Sequence, residues 1–353
     1  MLSSEKRPVA QAVKARLQQA AQVLGAANPV PIVGALVDRS FARPLGYVDY
    51  GANTLMPGAI PVEPSFSERE SGALRFVMEP LPGAAPQVRV QESTREMRRL
   101  VDGAFGGAAL RWFDRWSEEW RGASSNPRAL YGAWFGVTVD DEGLAASKVY
   151  YELTPEQLSA LPPRLRQYVV TALRTLPGLV PLFTSITCGR EQGVQRVTLL
   201  QRGPLRLTDL TPLMDTLGLS HQLPGLMQVV GLALGGRFEL PDMSVMIGLQ
   251  ETADGPELKF EMALGMIPDL PPSFVDLLTL ALAERPRELR ALNTWLQAFT
   301  PVDGEWPGHF SVMSVRVTPS SSARVNLYLR PIEFELRSDL PAATAARSVA
   351  MWT

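Results

Sequence analysis

Apolar and polar positions along the chain follow two alternating regimes. In the first, β-branched and aromatic residues partly alternate with polar ones over seven to nine positions, stop at a short polar turn, and resume. This happens five times: 60–66 and 73–80 across SERESG, 131–139 and 146–153 across DDEG, 181–188 and 194–201 across GREQG, 243–250 and 256–264 across ETADG, and 309–317 and 323–330 across TPSSS. Such pairs predict antiparallel β-hairpins. In the second regime apolar residues recur every three or four positions, which predicts helices near 8–24 and across 92–120, 155–176, 207–234 and 271–299. Thr154-Pro155 places a cap residue before a proline in a first helical turn. Trp112, Trp116 and Trp120 form a stripe at helical spacing, read as core packing.

The order helix, helix, hairpin, repeated five times, predicts an α+β fold in which ten antiparallel strands close into a barrel wrapped by helices. Closure removes the unpaired edges that an open sheet would leave. The Pro- and Gly-rich stretches 28–62 and 81–87 flank the first hairpin and do not divide the chain into halves. One domain over 1–338 and a loose tail at 339–353 are therefore expected.

Charge narrows the function. The 36 acidic residues against 34 basic give a net charge of −2, without the basic excess that a phosphate-neutralising nucleic-acid surface needs. The single Cys188 excludes an intramolecular disulfide or a Cys-cluster zinc site, and His221 and His309 are too few for a His-based metal centre. The most apolar stretch, 223–238, is interrupted by glycines and too short for a membrane span. A cytoplasmic protein with neither nucleic-acid nor membrane partners, acting as a monomer or homodimer, is expected. Among the basic residues only four are lysines.

The second strand of every hairpin carries a cation: Arg75, Lys148, Arg196, Lys259 and Arg324. Side chains two and four positions further on share the face, among them Tyr150, Thr198, Leu200, Glu261, Asn326 and Tyr328. If that face points inward, five cations converge on one cavity. Like charges buried together need an anion, so the pattern predicts a polyanionic ligand such as a diphosphate. No Gly-rich phosphate loop of the usual nucleotide-binding kinds stands between a strand and a helix.

These residues resemble a family. VEPSFSERESGALRFVMEP (62–80) is similar to the first hairpin of the indole prenyltransferases of the dimethylallyltryptophan synthase type, with a Glu, a Ser-aromatic run, then Arg and Glu-Pro. SKVYYEL (147–153) resembles that family's Lys-x-Tyr strand, and ARVNLYLRP (323–331) its last strand. The resemblance covers nearly the whole chain as five αα-hairpin units and implies the ABBA, or PT-barrel, fold. It also implies an enzyme of secondary metabolism, such as alkaloid biosynthesis, that moves an allylic group from a prenyl diphosphate to an aromatic acceptor, most plausibly an indole, with no cofactor and no metal. Arg75, Lys148, Arg196, Lys259 and Arg324 would then hold the diphosphate. Tyr150 and Tyr328 would shield the allyl cation, and Glu63 would meet the indole N–H.

Departures from the family pattern qualify this. Where its third unit reads Arg-x-Lys-x-Tyr, Arg196 is followed by Thr198 and Leu200, and in the fourth unit Glu261 stands where the family has Tyr. WFGVTV has no Lys where tryptophan C4-prenylating members place a base, so C4-prenylation of free tryptophan is disfavoured. Trp134, Thr198, Leu200, Met246, Glu261, His309, Met313 and Asn326 are candidates for the acceptor or prenyl pocket. A phenolic or peptide acceptor, or a non-catalytic barrel that binds an isoprenoid or peptide, are the alternatives. Aspartate-rich Mg²⁺ motifs are not found, and Asp140-Asp141 is read as a turn.

Overall fold

A period of two puts every second side chain of a strand on one face, and strands can close into a barrel when that face is filled. The protein, described by a computed structural model over residues 8–45, 47–122, 129–191 and 193–336, forms such a barrel. The expected tail at 339–353 lies outside the described residues. Strands β1 (Val62–Ser67) and β2 (Leu74–Met78), β3 (Ala133–Asp140) and β4 (Gly143–Glu152), and β5 (Leu179–Gly189) and β6 (Gly193–Gln201) form the first three hairpins. After β7 (Leu205–Arg206) and β8 (Glu239–Leu240), which pair only with each other, β9 (Val245–Thr252) pairs with β10 (Gly255–Ala263), and β11 (Gly308–Val317) with β12 (Arg324–Pro331). Consecutive hairpins pair antiparallel, and β12 returns to β1, closing ten strands. The five hairpins lie where the alternation places them.

Helices α1 (Val9–Leu24), α2 (Val30–Ser40) and α3 (Val48–Gly51) precede the first hairpin, and α4 (Pro86–Gly122) precedes the second. Helix α5 (Pro163–Thr175) precedes the third; α6 (Thr211–Thr216) and α7 (Leu223–Ala233) precede the fourth; α8 (Phe274–Ala281) and α9 (Pro286–Phe299) precede the fifth. Helix α2 falls in the Pro-rich stretch that sequence pattern leaves without structure. Its prolines sit at the N-terminus, where a missing N–H costs nothing, and Val33, Leu36 and Val37 are buried. Helix α4 breaks at Gly106, whose φ of 81° and ψ of 174° interrupt the helix and give the second unit two helical segments. The 155–176 stretch is divided as well: a 3₁₀ turn at Pro155–Ala160, in which the Thr154 N–H donates to Gln157 Oε1 at 3.0 Å, comes before α5.

The hydrophobic core is the layer between barrel and helices. Outward residues such as Phe76, Phe135, Leu199, Ile247 and Phe260 are fully buried there. Trp295 of α9 anchors the layer, 6.1 Å from the Phe66 ring and 5.5 Å from Phe299. In the tryptophan stripe Trp120 is buried, and Trp112 stacks on Trp116 at 5.5 Å. Cys188 is buried, in keeping with packing. Among the described residues no helix is long and apolar enough to cross a membrane. Replacing Trp295 by Ala removes the largest fully buried side chain and is expected to cost about 3–5 kcal/mol of stability, measured by urea unfolding.

Candidate active site

The strand period turns four of the five second-strand cations inward. Arg75, Lys148 and Arg196 line a deep cavity of about 190 Å³ with Arg316, Glu70, Tyr150 and Tyr328. Lys259 lies one level higher, where it hydrogen-bonds the Tyr328 hydroxyl at 2.7 Å and pairs with Glu261. Each lysine faces a glycine across the strands, Lys148 opposite Gly136 and Lys259 opposite Gly248. The glycines leave room for the lysine stems. A Cβ on Gly248 would lie 3.1 Å from Arg196 Cδ and 3.2 Å from Lys259 Cβ.

Carboxylates compensate part of this charge. Glu257, with no exposed side-chain surface, accepts from Arg196 at 2.6 Å and from Arg69 at 2.9 Å, and lies 3.9 Å from Arg316. Glu70 lies 3.1 Å from Arg75, whose charge holds its carboxyl below the usual range. Five cations (Arg69, Arg75, Lys148, Arg196 and Arg316) thus face two carboxylates. Arg75 Nη1, Arg196 Nε and Arg316 Nε are buried donors without a hydrogen-bond partner, which is costly unless a ligand satisfies them. Lys148 has no ion-pair partner among the described residues. Burial, and then the charges of Arg196, Arg75, Arg316 and Lys259, push its pKa well below the ordinary lysine value.

Above the cations the wall becomes apolar. A cavity of about 510 Å³ is lined by Trp134, Tyr150, Phe183, Leu200, Met243 and Met246 among others, and it shares Val77, Tyr150, Arg196 and Tyr328 with the deep cavity. Tyr150 meets Phe183 edge-on at 5.5 Å, and Trp134 lies 5.9 Å from Phe183 and stacks on Tyr131 at 4.2 Å. Trp134 is fixed by its Nε1–H, which donates to Thr54 Oγ1 at 3.0 Å; Thr54 in turn bonds Glu79. The Lys148 and Lys259 ammonium groups lie 5.2 and 5.0 Å from the Tyr150 and Tyr328 ring centres, so both rings are aligned to face positive charge. Glu63, 7% exposed, accepts a hydrogen bond from Ser311 at 2.6 Å. Burial raises its pKa to about 7, the Ser311 bond and Lys259 opposing the rise.

Three sequence expectations need correction. Arg324, at the first position of β12, leaves the barrel interior at its rim, where Glu68 at 3.8 Å and Glu288 at 4.0 Å draw it outward. Met313 is buried in the helix-facing core, because a bulge between Phe310 and Met313 shifts the parity of β11. Asn326 is sealed between strands, donating to Ser314 Oγ at 3.1 Å, and lines neither cavity. Thr198, Leu200, Met246, Glu261 and Trp134 do line the upper cavity, with His309 at its mouth, its side chain 74% exposed and 3.4 Å from Glu335. Sequence reasoning missed Arg316, which a scan of first strands as well as second ones would have marked once the bulge was known. Phe183 was also missed; it stands beside Tyr150, on the wall where Thr198 and Leu200 offer no aromatic ring. Among the described residues no three His, Cys, Asp or Glu side chains are grouped to hold a metal ion. Asp140 instead receives two bonds from Arg190, at 2.5 and 2.7 Å.

A cationic pocket opening into an aromatic-walled chamber, inside a ten-stranded antiparallel barrel, defines the ABBA (PT-barrel) fold seen among aromatic prenyltransferases. Solved structures share that fold over nearly the full chain. PriB in complex with product diphosphate has a TM-score of 0.72 at 16% identity, covering 95% of this chain and 100% of its own. The 6-dimethylallyltryptophan synthase of Micromonospora olivasterospora, in complex with DMASPP and Trp, has 0.73 at 18%, covering 94% and 99%. The 5-dimethylallyltryptophan synthase of Streptomyces coelicolor has 0.69 at 17%, covering 94% and 100%. No protein-family model and no curated relative matches the chain.

The elevated pKa of Glu63 has a consequence for stability. A folded-state pKa above the unfolded value favours folding while the group is protonated, and that advantage is lost as pH rises through about 7. Glu63→Gln should therefore become more stable than the wild type as pH rises from about 5 to 8. The gain is on the order of 3 kcal/mol at the upper end, read from urea unfolding at each pH.

Proposed function

We propose that the protein is an aromatic prenyltransferase that transfers an allylic group from a prenyl diphosphate to an indole-containing acceptor. The reading rests above all on one observation: a cluster of under-compensated cations with unsatisfied donors opens directly into an aromatic chamber holding a single carboxylate, Glu63, unpaired with a cation. Arg75, Lys148, Arg196 and Arg316 bind the diphosphate, with Lys259 at its upper edge. With all groups ionised, the deep cluster carries three surplus positive charges, against about three negative charges on a prenyl diphosphate near pH 7.

The chemistry follows from this placement. The C1–O bond of the allylic diphosphate breaks, its electron pair leaves with the diphosphate, and the cations stabilise the developing charge. Tyr150, Tyr328, Trp134 and Phe183 offer ring faces to the allylic cation and exclude water that would quench it. The acceptor ring attacks C1 or C3, forming the new C–C bond, and the resulting arenium ion passes its proton to the released diphosphate, which restores aromaticity. Glu63 accepts the indole N–H bond and orients the ring. The cations supply the charge stabilisation themselves, so transfer proceeds without a metal, in a cytoplasmic enzyme.

Incubation with dimethylallyl, geranyl or farnesyl diphosphate and a panel of indoles, with and without EDTA, should give acceptor plus one prenyl unit by mass spectrometry, undiminished by the chelator. No adduct with any donor refutes the reading, and a requirement for Mg²⁺ refutes its metal independence. Glu63→Gln should lower kcat/KM by about 10²-fold or more and remove a rise in rate centred near pH 7.

Lys148 gives an independent test. Its pKa is depressed in the free protein, and a bound anion raises it, so diphosphate binding should take up a proton. Affinity should accordingly fall as pH rises. Calorimetry in buffers of different ionisation enthalpy should show this uptake in the wild type and less of it in Lys148→Met, whose affinity should drop by about 1.5–3 kcal/mol.

A further inference from the structure

The two ends of the chamber differ in charge. In the upper cavity the basic side chains stand beside carboxylates: Arg196 shares Glu257 with Arg69 and Arg316, Lys259 holds Glu261, and Arg330 and His309 lie 3.5 and 3.4 Å from one carboxylate, Glu335. Among the acids of this cavity Glu63 differs: among the described residues it has no ion-pair partner and is bonded to the neutral hydroxyl of Ser311. With Arg196 and Glu257 already counted in the deep cluster and histidine counted as neutral, Lys259 and Arg330 face Glu63, Glu261 and Glu335, so the upper end carries one surplus negative charge when Glu63 is ionised, opposite in sign to the deep end.

Glu261 is the second acid of this chamber, and its residue is 6% exposed. It lies between Met246 and Ser314 across the strands, on the same strand face as Lys259. One oxygen, Oε1, accepts from Lys259 Nζ. The other, Oε2, accepts no hydrogen bond among the described residues and lies 3.6 Å from the Cβ position of Gly248, over the open floor that this glycine leaves. Glu63 is arranged likewise, with Oε1 bonded to Ser311 and Oε2 without a donor among the described residues. The chamber therefore offers two carboxylate oxygens with spare acceptor capacity, near enough for Glu261 to contribute to the raised pKa of Glu63. A ligand that satisfies both brings two N–H donors, and one carrying a positive charge also neutralises the surplus.

We propose that Glu261 is a specificity-determining residue that selects acceptors bearing a protonated amine beside the arene and discriminates against arenes bearing a carboxylate. The inference rests on the prenyltransferase reading for the role of the ligand as acceptor. The arene N–H goes to Glu63 and the ammonium to Glu261. A carboxylate in the same place meets two acids, and the ammonium beside it, Lys259, is already held by Glu261.

Binding tests this without turnover. Dissociation constants of tryptamine and of indole-3-propionate are measured calorimetrically with inorganic diphosphate filling the deep cluster. Tryptamine should bind at least about 10-fold more tightly. In Glu261→Gln, which removes the charge and frees the Lys259 ammonium, the ratio should collapse or invert; in Lys259→Met it should grow. Equal affinities in the wild type, tighter binding of indole-3-propionate, or a ratio unchanged by Glu261→Gln overturns the proposal. The wild-type ratio stands even if a variant misfolds. Steady-state kcat/KM for the two acceptors at one saturating donor concentration separates the two readings: the predicted binding ratio with no product from any donor leaves Glu261 as a selector and refutes the transferase, whereas equal turnover of both acceptors does the reverse.

Discussion

The structure depends on one electrostatic constraint: several cations share a barrel interior where water is scarce. Like charges so placed repel and lose hydration, and they persist only if carboxylates or a bound anion answer them. Glu257 is the centre of this balance. It is completely buried and collects Arg69, Arg196 and Arg316. The compensation stops short, leaving Lys148 without an ion-pair partner among the described residues and Arg75 Nη1, Arg196 Nε and Arg316 Nε without acceptors. Burial that is otherwise unfavourable would be answered by a bound anion, as the proposed function requires, its cost carried by the apolar layer between barrel and helices.

The same constraint orders the barrel along its axis. The cation cluster lies at the lower levels of the strands, and Tyr150 and Tyr328 stand between it and the apolar rings of the upper cavity. Because Lys148 and Tyr150 are two residues apart on one strand, they share a face and are about two strand rises apart. This spacing is what the proposed function needs between a leaving group and the carbon it departs from. Gly136 and Gly248 make it sterically feasible, since a larger side chain opposite either lysine would fill the cavity.

Much of this was legible in the sequence. Period-two alternation and turn residues marked all five hairpins, and recurrence of a cation at one strand position revealed the inward face at Arg75, Lys148, Arg196 and Lys259. What escaped was set by local geometry that a sequence does not display. The bulge in β11 reversed parity between Phe310 and Met313, hiding Arg316 and misplacing Met313. Arg324 kept the right parity but sat at the strand end, where Glu68 outcompeted the cavity. Helix α2 was masked by prolines that are harmless in a first turn. The relation of Lys259 to Glu261 was visible as i, i+2, yet its consequence, a lysine held by Glu261 and Tyr328 above the deep cluster, needed the geometry.

The most direct test of the account is a crystal structure with a non-hydrolysable prenyl thiolodiphosphate. The account predicts the diphosphate within hydrogen-bond distance of Arg75, Lys148, Arg196 and Arg316, with its allylic carbon between Tyr150 and Tyr328. An anion bound instead at the outer rim beside Arg287 and Arg324, with the interior cations unchanged, would contradict it.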